Sequence, residues 1–201
     1  MSQRTDRLRR QLILGLLRKF NLPELASRLS PQQALALFNF FNGGLSIGLI
    51  AIIALITREA FIFPSLGATA FILFYIPMSE AASPRNVFCG HLTGALCGWS
   101  SLALFGLTDA PSALSSGMDW PHAFSASLSM GLATSMMVLL RVVHPPAAAT
   151  SLIVSLGLMP QLEQVPVLMT GVVVLLCQAF VLNRLAGIRY PLWSQRVTDL
   201  N

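Results

Sequence analysis

Charged side chains are scarce in this 201-residue chain: 10% are Asp, Glu, Lys or Arg, where a soluble domain carries about 25%. That shortfall excludes a basic nucleic-acid-binding module and a disordered tail, despite a net charge of +5. Cysteine is nearly absent. Cys89, Cys97 and Cys177 all fall in apolar stretches with no CxxC spacing, so neither a disulfide framework nor a zinc ribbon is expected. The three histidines share no helix face with a carboxylate in a metalloprotease pattern. No phosphate-binding loop and no Ser-His-Asp constellation is present. The expectation is a non-enzyme without metal or other cofactor, and without nucleic acid as a partner.

What the chain has in abundance is apolar sequence, 54% of its residues, gathered into blocks separated by short polar turns. This is the pattern of a polytopic membrane protein, with the lipid bilayer as its first partner. Residues 1–30 stand apart. They hold seven of the thirteen basic residues, with Leu8, Leu12, Leu16, Leu17 and Phe20 at helical spacing, as in a basic amphipathic helix lying on an anionic surface. Six blocks follow: Ala34–Thr57, Pro64–Pro77, Val87–Leu107, Ala123–Val143, Pro145–Met159 and Val165–Asn183. The second and fifth reach only about 20 Å as helices, against a hydrocarbon core of about 30 Å. Both begin at proline, which suits the first helical turn because its missing N–H is not needed there.

Basic residues orient the chain. With six crossings, twelve of the thirteen lie on one side, including Arg85, Arg141, Arg184, Arg189 and Arg196, and only Arg58 lies opposite. With the two short blocks turning back on themselves, the split is ten to three. The positive-inside rule therefore favours six crossings with both termini cytoplasmic, in a cell inner membrane. The domain plan is a basic segment (1–30), a three-segment half (31–107), an external loop (108–122), a second three-segment half (123–183) and a cytoplasmic tail (184–201).

Offsetting the chain against itself by 81 residues aligns the short blocks. Pro64 meets Pro145, Ala68 meets Ala149, Thr69 meets Thr150, Ile72 meets Ile153, Met78 meets Met159 and Gly90 meets Gly171. Three crossings per half make the repeat an inverted one, so the expected fold is all-α with six membrane segments in a 3+3 inverted repeat. Short or interrupted helices at matching places of inverted halves point to a transport site, because a helix N-terminus at mid-membrane attracts anions. The candidate substrate-binding residues are therefore Ser65, Gly67, Ala68 and Thr69, with His144, Pro146, Ala147, Ala149 and Thr150. The same small residues equally suit close helix packing.

The string His144-Pro145-Pro146-Ala147-Ala148-Ala149-Thr150 resembles the signature of the HPP family of integral membrane proteins. Pro64-Ser65-Leu66-Gly67-Ala68-Thr69-Ala70 looks like that family's first small-residue motif, and the run from Pro77 to Leu92 looks like its central loop and following helix. The resemblance covers roughly residues 35–183. It implies a four-span description, two fewer than counted above, and nitrite as the transported anion.

Polar groups inside the blocks are gating or coupling candidates by default. His144 gates, binds the anion or couples to protons, or else its ring holds the broken backbone at the Pro-Pro turn. Arg85 and Arg141 flank that region, Arg85 equally suited to anchor the interface by snorkelling, with Asn86 as a helix cap or a partner for the broken backbone of the second block. His91 lies one and a half turns further in, and Arg58 and Glu59 sit at the opposite edge. Gln178 and Asn183 suit interhelical hydrogen bonds. Gly90, Gly94 and Gly98 offer a face for a homo-oligomer, a dimer or higher.

Overall fold

The computed structural model describes residues 29–59 and 63–194. Apart from Leu29 and Ser30, the amphipathic helix expected over 1–30 lies outside them. Seven α-helices and no strand occur among the described residues. They are α1 (Pro31–Thr57), α2 (Pro64–Tyr75), α3 (Pro84–Leu104), α4 (Ala113–Ser116), α5 (Trp120–Leu139), α6 (Pro145–Ser155) and α7 (Gln164–Leu185), with one 3-10 turn at Glu80–Ala82. By length and composition α1, α3, α5 and α7 can each cross a membrane. At 1.5 Å per residue α2 and α6 rise only about 18 and 17 Å.

Local chemistry sets the helix ends. Ser30 and Gln33 form a capping box at α1, Ser83 caps α3 through the Asn86 N–H, and Asp119 caps α5 through the His122 N–H at 2.8 Å. Proline stands in the first turn of α1, α2, α3, α5 and α6, where its missing donor costs nothing. The third block ends earlier than its apolar run, at Leu104, and the fourth at Leu139, because the chain turns there through Gly106 (φ 67°) and Arg141 (φ 53°).

Several helix ends recur at the 81-residue offset. α2 and α6 start at Pro64 and Pro145, and α3 and α7 end at Leu104 and Leu185. Each of the latter is followed by a glycine with positive φ, Gly106 and Gly187. The hydrogen bonds that close these ends match as well. Leu107 donates to the Leu102 carbonyl, as Ile188 does to Asn183, and Leu66 donates to Phe63, as Ala147 does to His144. In packing, α1 lies against α2 and α7, and α5 against α6 and α3; α2 meets α6 and α7, and α3 meets α6 and α7. Exchanging α1, α2 and α3 for α5, α6 and α7 leaves this set of neighbours unchanged.

Packing is tightest between α3 and α6. A Cβ on Gly90 would lie 2.8 Å from the His144 Cβ, and one on Gly98 2.6 Å from the Ser151 carbonyl oxygen. On Gly94 it would strike the Ala147 carbonyl oxygen. The glycine stripe expected to serve an oligomer is thus buried within the chain. Serines fasten α6 to α5 as well: Ser125 and Ser129 of α5 donate to the Ser155 and Ser151 carbonyls. Asn183 of α7 donates to the Leu73 carbonyl of α2, an interhelical bond of the expected kind, whereas both polar atoms of the Gln178 side chain are buried without a partner among the described residues.

The segment after α7 folds back rather than trailing away. The buried Tyr190 hydroxyl donates to the Ala82 carbonyl at 2.6 Å, and the Arg85 N–H donates to the Trp193 carbonyl. Burial pushes the Tyr190 phenol above its ordinary pKa, so it stays a donor. Gly94→Ala should cost about 1–3 kcal/mol through overpacking. Gly131→Ala on α5, where nothing lies within 4 Å, should cost nothing. Thermal unfolding of the two variants in detergent checks this.

Candidate functional site

At the centre of the bundle, four residues from three helices and one helix cap meet, each 0% exposed: Thr69 of α2, His91 of α3, Thr150 of α6 and His144, which precedes α6. Thr69 Oγ1 lies 2.8 Å from His91 Nε2 and 2.9 Å from His144 Nε2. His91 Nδ1 lies 2.8 Å from Thr150 Oγ1. His144 Nδ1 lies 2.7 Å from the Ala81 carbonyl oxygen. The imidazole centroids are 5.0 Å apart and tilted by 58°.

The acceptor at one end orders the proton positions. A carbonyl only accepts, so His144 donates from Nδ1. When His144 is neutral its Nε2 must accept, and Thr69 donates to it. His91 then donates from Nε2 to Thr69, and its Nδ1 accepts from Thr150. A continuous chain results, from the Thr150 hydroxyl through His91, Thr69 and His144 to Ala81. Every ring nitrogen in it has a partner, which is what buried polar groups require.

The structure gathers only some of the expected site residues here. Ser65 is buried one turn before Thr69, with a hydroxyl that has no partner among the described residues. Pro146 and Ala147 are buried and Ala149 is half-buried, whereas Gly67 and Ala68 lie on the exposed side of α2. The first turn of α6 differs from expectation. Pro145 and Pro146 have no N–H, and the Ala147 N–H is taken by the His144 carbonyl. Residues 145–147 of that helix end therefore present no unpaired backbone donor, and side chains supply the polar groups.

The flanking candidates act on the backbone. The Arg85 guanidinium donates to the Arg141 carbonyl at 2.8 Å and to Leu140 at 3.3 Å, closing the end of α5 where exposed Arg141 turns left-handed. Asn86 donates to the Val143 carbonyl, so it braces the break before α6, not the second block. Arg58 and Glu59 are exposed at the end of α1 and take no part in the histidine chain. The Ala81 carbonyl was not foreseeable, since backbone acceptors leave no mark in a sequence. The Ser125/Ser129 and Ser151/Ser155 pairs did leave one, a four-residue spacing on facing helices. Among the described residues no His, Cys, Asp and Glu cluster is arranged to hold a metal ion.

Long apolar helices around a buried, hydrogen-bonded polar centre define a polytopic membrane protein. The chain belongs to the HPP transmembrane-region family, whose model matches residues 28–191. It is also similar to a transmembrane protein of Dictyostelium discoideum, 30% identical over 135 residues, which are 64% of this chain and 44% of that protein. The chain thus spans less than half the length of that relative. No solved structure matches.

Thr150→Val keeps the shape but leaves His91 Nδ1 buried without a donor, and should cost about 1–3 kcal/mol. Thr134→Val, on the exposed side of α5, should stay within about 0.5 kcal/mol of the parent. Unfolding midpoints in detergent separate the two.

Proposed function

We propose that this chain is a transporter of a small inorganic anion, nitrite being the substrate its family resemblance implies, built as two inverted three-helix halves in which α2 and α6 complete six crossings. The observation that carries the reading is the pairing of Thr69 and Thr150. They occupy equivalent places in the two short helices, and both bond to His91 in the buried centre. Helices of about 17 Å end inside a bilayer core of about 30 Å, where non-helical backbone must be covered by protein or line a wet cavity. The 81-residue repetition of helix starts, helix ends and left-handed glycines supports the two-half plan. So does the exchange symmetry of the helix neighbours.

The anion meets side-chain donors rather than two bare helix ends. Ser65, with its unpartnered hydroxyl, sits beside the Thr69–His91–His144 cluster, and hydroxyl and imidazole N–H groups in a low-dielectric interior bind an anion more strongly than in water. The orientation has both termini cytoplasmic in an inner membrane, supported by the distribution of basic residues. Homo-oligomerisation completes the reading. The face open to it is α1, where only Ala34, Phe38, Ser46 and Ile50 of 27 residues are buried.

Protein reconstituted in liposomes should admit nitrite. Thr69→Val, removing a hydrogen bond of about 1–1.5 kcal/mol, should slow entry on the order of tenfold, with Thr134→Val unchanged. Wild-type liposomes no more permeable than empty ones would instead mark a non-transporting sensor or scaffold acting through its basic N-terminal segment. For topology, single cysteines at the exposed positions Glu80 and Asp109, in a background lacking the three native ones, should label from the cytoplasmic and the outer side respectively. The reverse labelling overturns the six-crossing plan.

A further inference from the structure

The Thr69 hydroxyl has three close partners, not two. Besides His91 Nε2 and His144 Nε2, its oxygen lies 2.9 Å from the Ser65 carbonyl oxygen. A hydroxyl has one proton to give and two lone pairs to receive. With His144 neutral, the Thr69 proton is spent on His144 Nε2, and nothing lies between Thr69 Oγ1 and Ser65 O. With one more proton on His144 Nε2, all three contacts become hydrogen bonds. His144 then donates from both nitrogens, His91 donates from Nε2, and Thr69 turns its own proton to Ser65. His91 is unaffected, its Nδ1 still accepting from Thr150.

We propose that the His91–Thr69–His144 cluster is the proton-binding site of an electroneutral proton–anion symporter, with the Thr69 hydroxyl as its switch. One proton binds at His144 Nε2, the Thr69 O–H rotates from His144 to the Ser65 carbonyl, and no heavy atom has to move. The inference rests on the transport reading and adds the co-substrate to it.

The surroundings decide why proton and anion travel together. On α3, the Arg85 guanidinium is turned to the Leu140 and Arg141 carbonyls, and Cys89 and Cys97 are half-buried thiols. On α2, Tyr75 is exposed, as are Glu80 in the 3-10 turn and Arg141 before α6. From the chain after α7, Tyr190 is bound to Ala82, and Arg184 near the end of α7 is bound to Tyr190. On α5, Asp119 and His122 pair with each other at the helix start. The acidic residues Glu59, Glu80, Asp109, Asp119 and Glu163 are all exposed. Among the described residues none forms an ion pair with His91 or His144. A proton on His144 is therefore a buried charge that no described residue balances, which is costly in an apolar interior. An anion seated at Ser65 supplies the balance. Loading either ion alone is unfavourable, and loading both leaves the site neutral.

Two measurements test this together. The first is nitrogen NMR of histidine-labelled protein in lipid nanodiscs, titrated about two units either side of the ordinary histidine pKa of about 6.5. His144 should pass from the Nδ1–H tautomer to imidazolium, and its midpoint should rise by about one unit, tenfold in proton affinity, when nitrite is added. Thr69→Ser should keep that response and Thr69→Val should lose it. A His144 that stays neutral throughout with nitrite present overturns the proposal. The second is flux into liposomes, where one proton should enter per nitrite at a rate indifferent to a clamped membrane potential. Nitrite entry that follows the potential without proton movement also overturns it. A nitrite-silent protein whose His144 still titrates in a Thr69-dependent way sinks the substrate reading and leaves the proton site standing.

Discussion

How closely α3 can approach α6 determines what the centre of this protein can be. Gly90, Gly94 and Gly98 put no side chain at three positions of the contact face, and the α6 backbone and the His144 Cβ occupy the space. In a bilayer, where lipid is as apolar as a leucine side chain, such close packing is a main source of helix association. The approach also does chemical work. His91 follows Gly90 directly, so the contact that seats Gly90 against His144 delivers the imidazole to Thr69, His144 and Thr150 together.

Several helix ends recur at the 81-residue offset, but not every side chain of the polar centre does. At the 81-residue offset Val172 stands where His91 is and Phe63 where His144 is, and both are buried. Leu175 and Ala179 likewise stand where Gly94 and Gly98 are. Of the three α3 glycines only Gly90 is matched by a glycine of α7, Gly171. The polar centre draws its histidines from the pair of helices that packs closest, while the threonines come from both short helices. The histidine pair therefore has no counterpart at the 81-residue offset.

Bracing around the centre is built from backbone carbonyls. Arg85 and Asn86 close the break between α5 and α6, Tyr190 holds Ala82, and the neighbouring Ala81 holds His144. Interrupted helices leave carbonyls unpaired inside a membrane protein, and each needs a donor. Two of the gating or coupling candidates, Arg85 and Asn86, supply such donors. His144, whose role was open between switch and brace, bonds the Ala81 carbonyl through one ring nitrogen and faces Thr69 with the other.

Much of the architecture was legible from residue order. Apolar runs of 20 or more residues and prolines at helix starts are local signals, and they marked every helix but the four-residue α4. The matching starts of α2 and α6 at Pro64 and Pro145 were legible because proline controls φ wherever it stands. Three things depended on tertiary structure: which face the glycines serve, which carbonyl His144 finds, and which nitrogen of each histidine donates. Those are settled by partners 22 to 75 residues away along the chain, and no local pattern encodes a contact at that range. Sequence alone determined where the chain can cross or break. The fold decided that the breaks meet, and that a hydroxyl between two imidazoles lies at the meeting point.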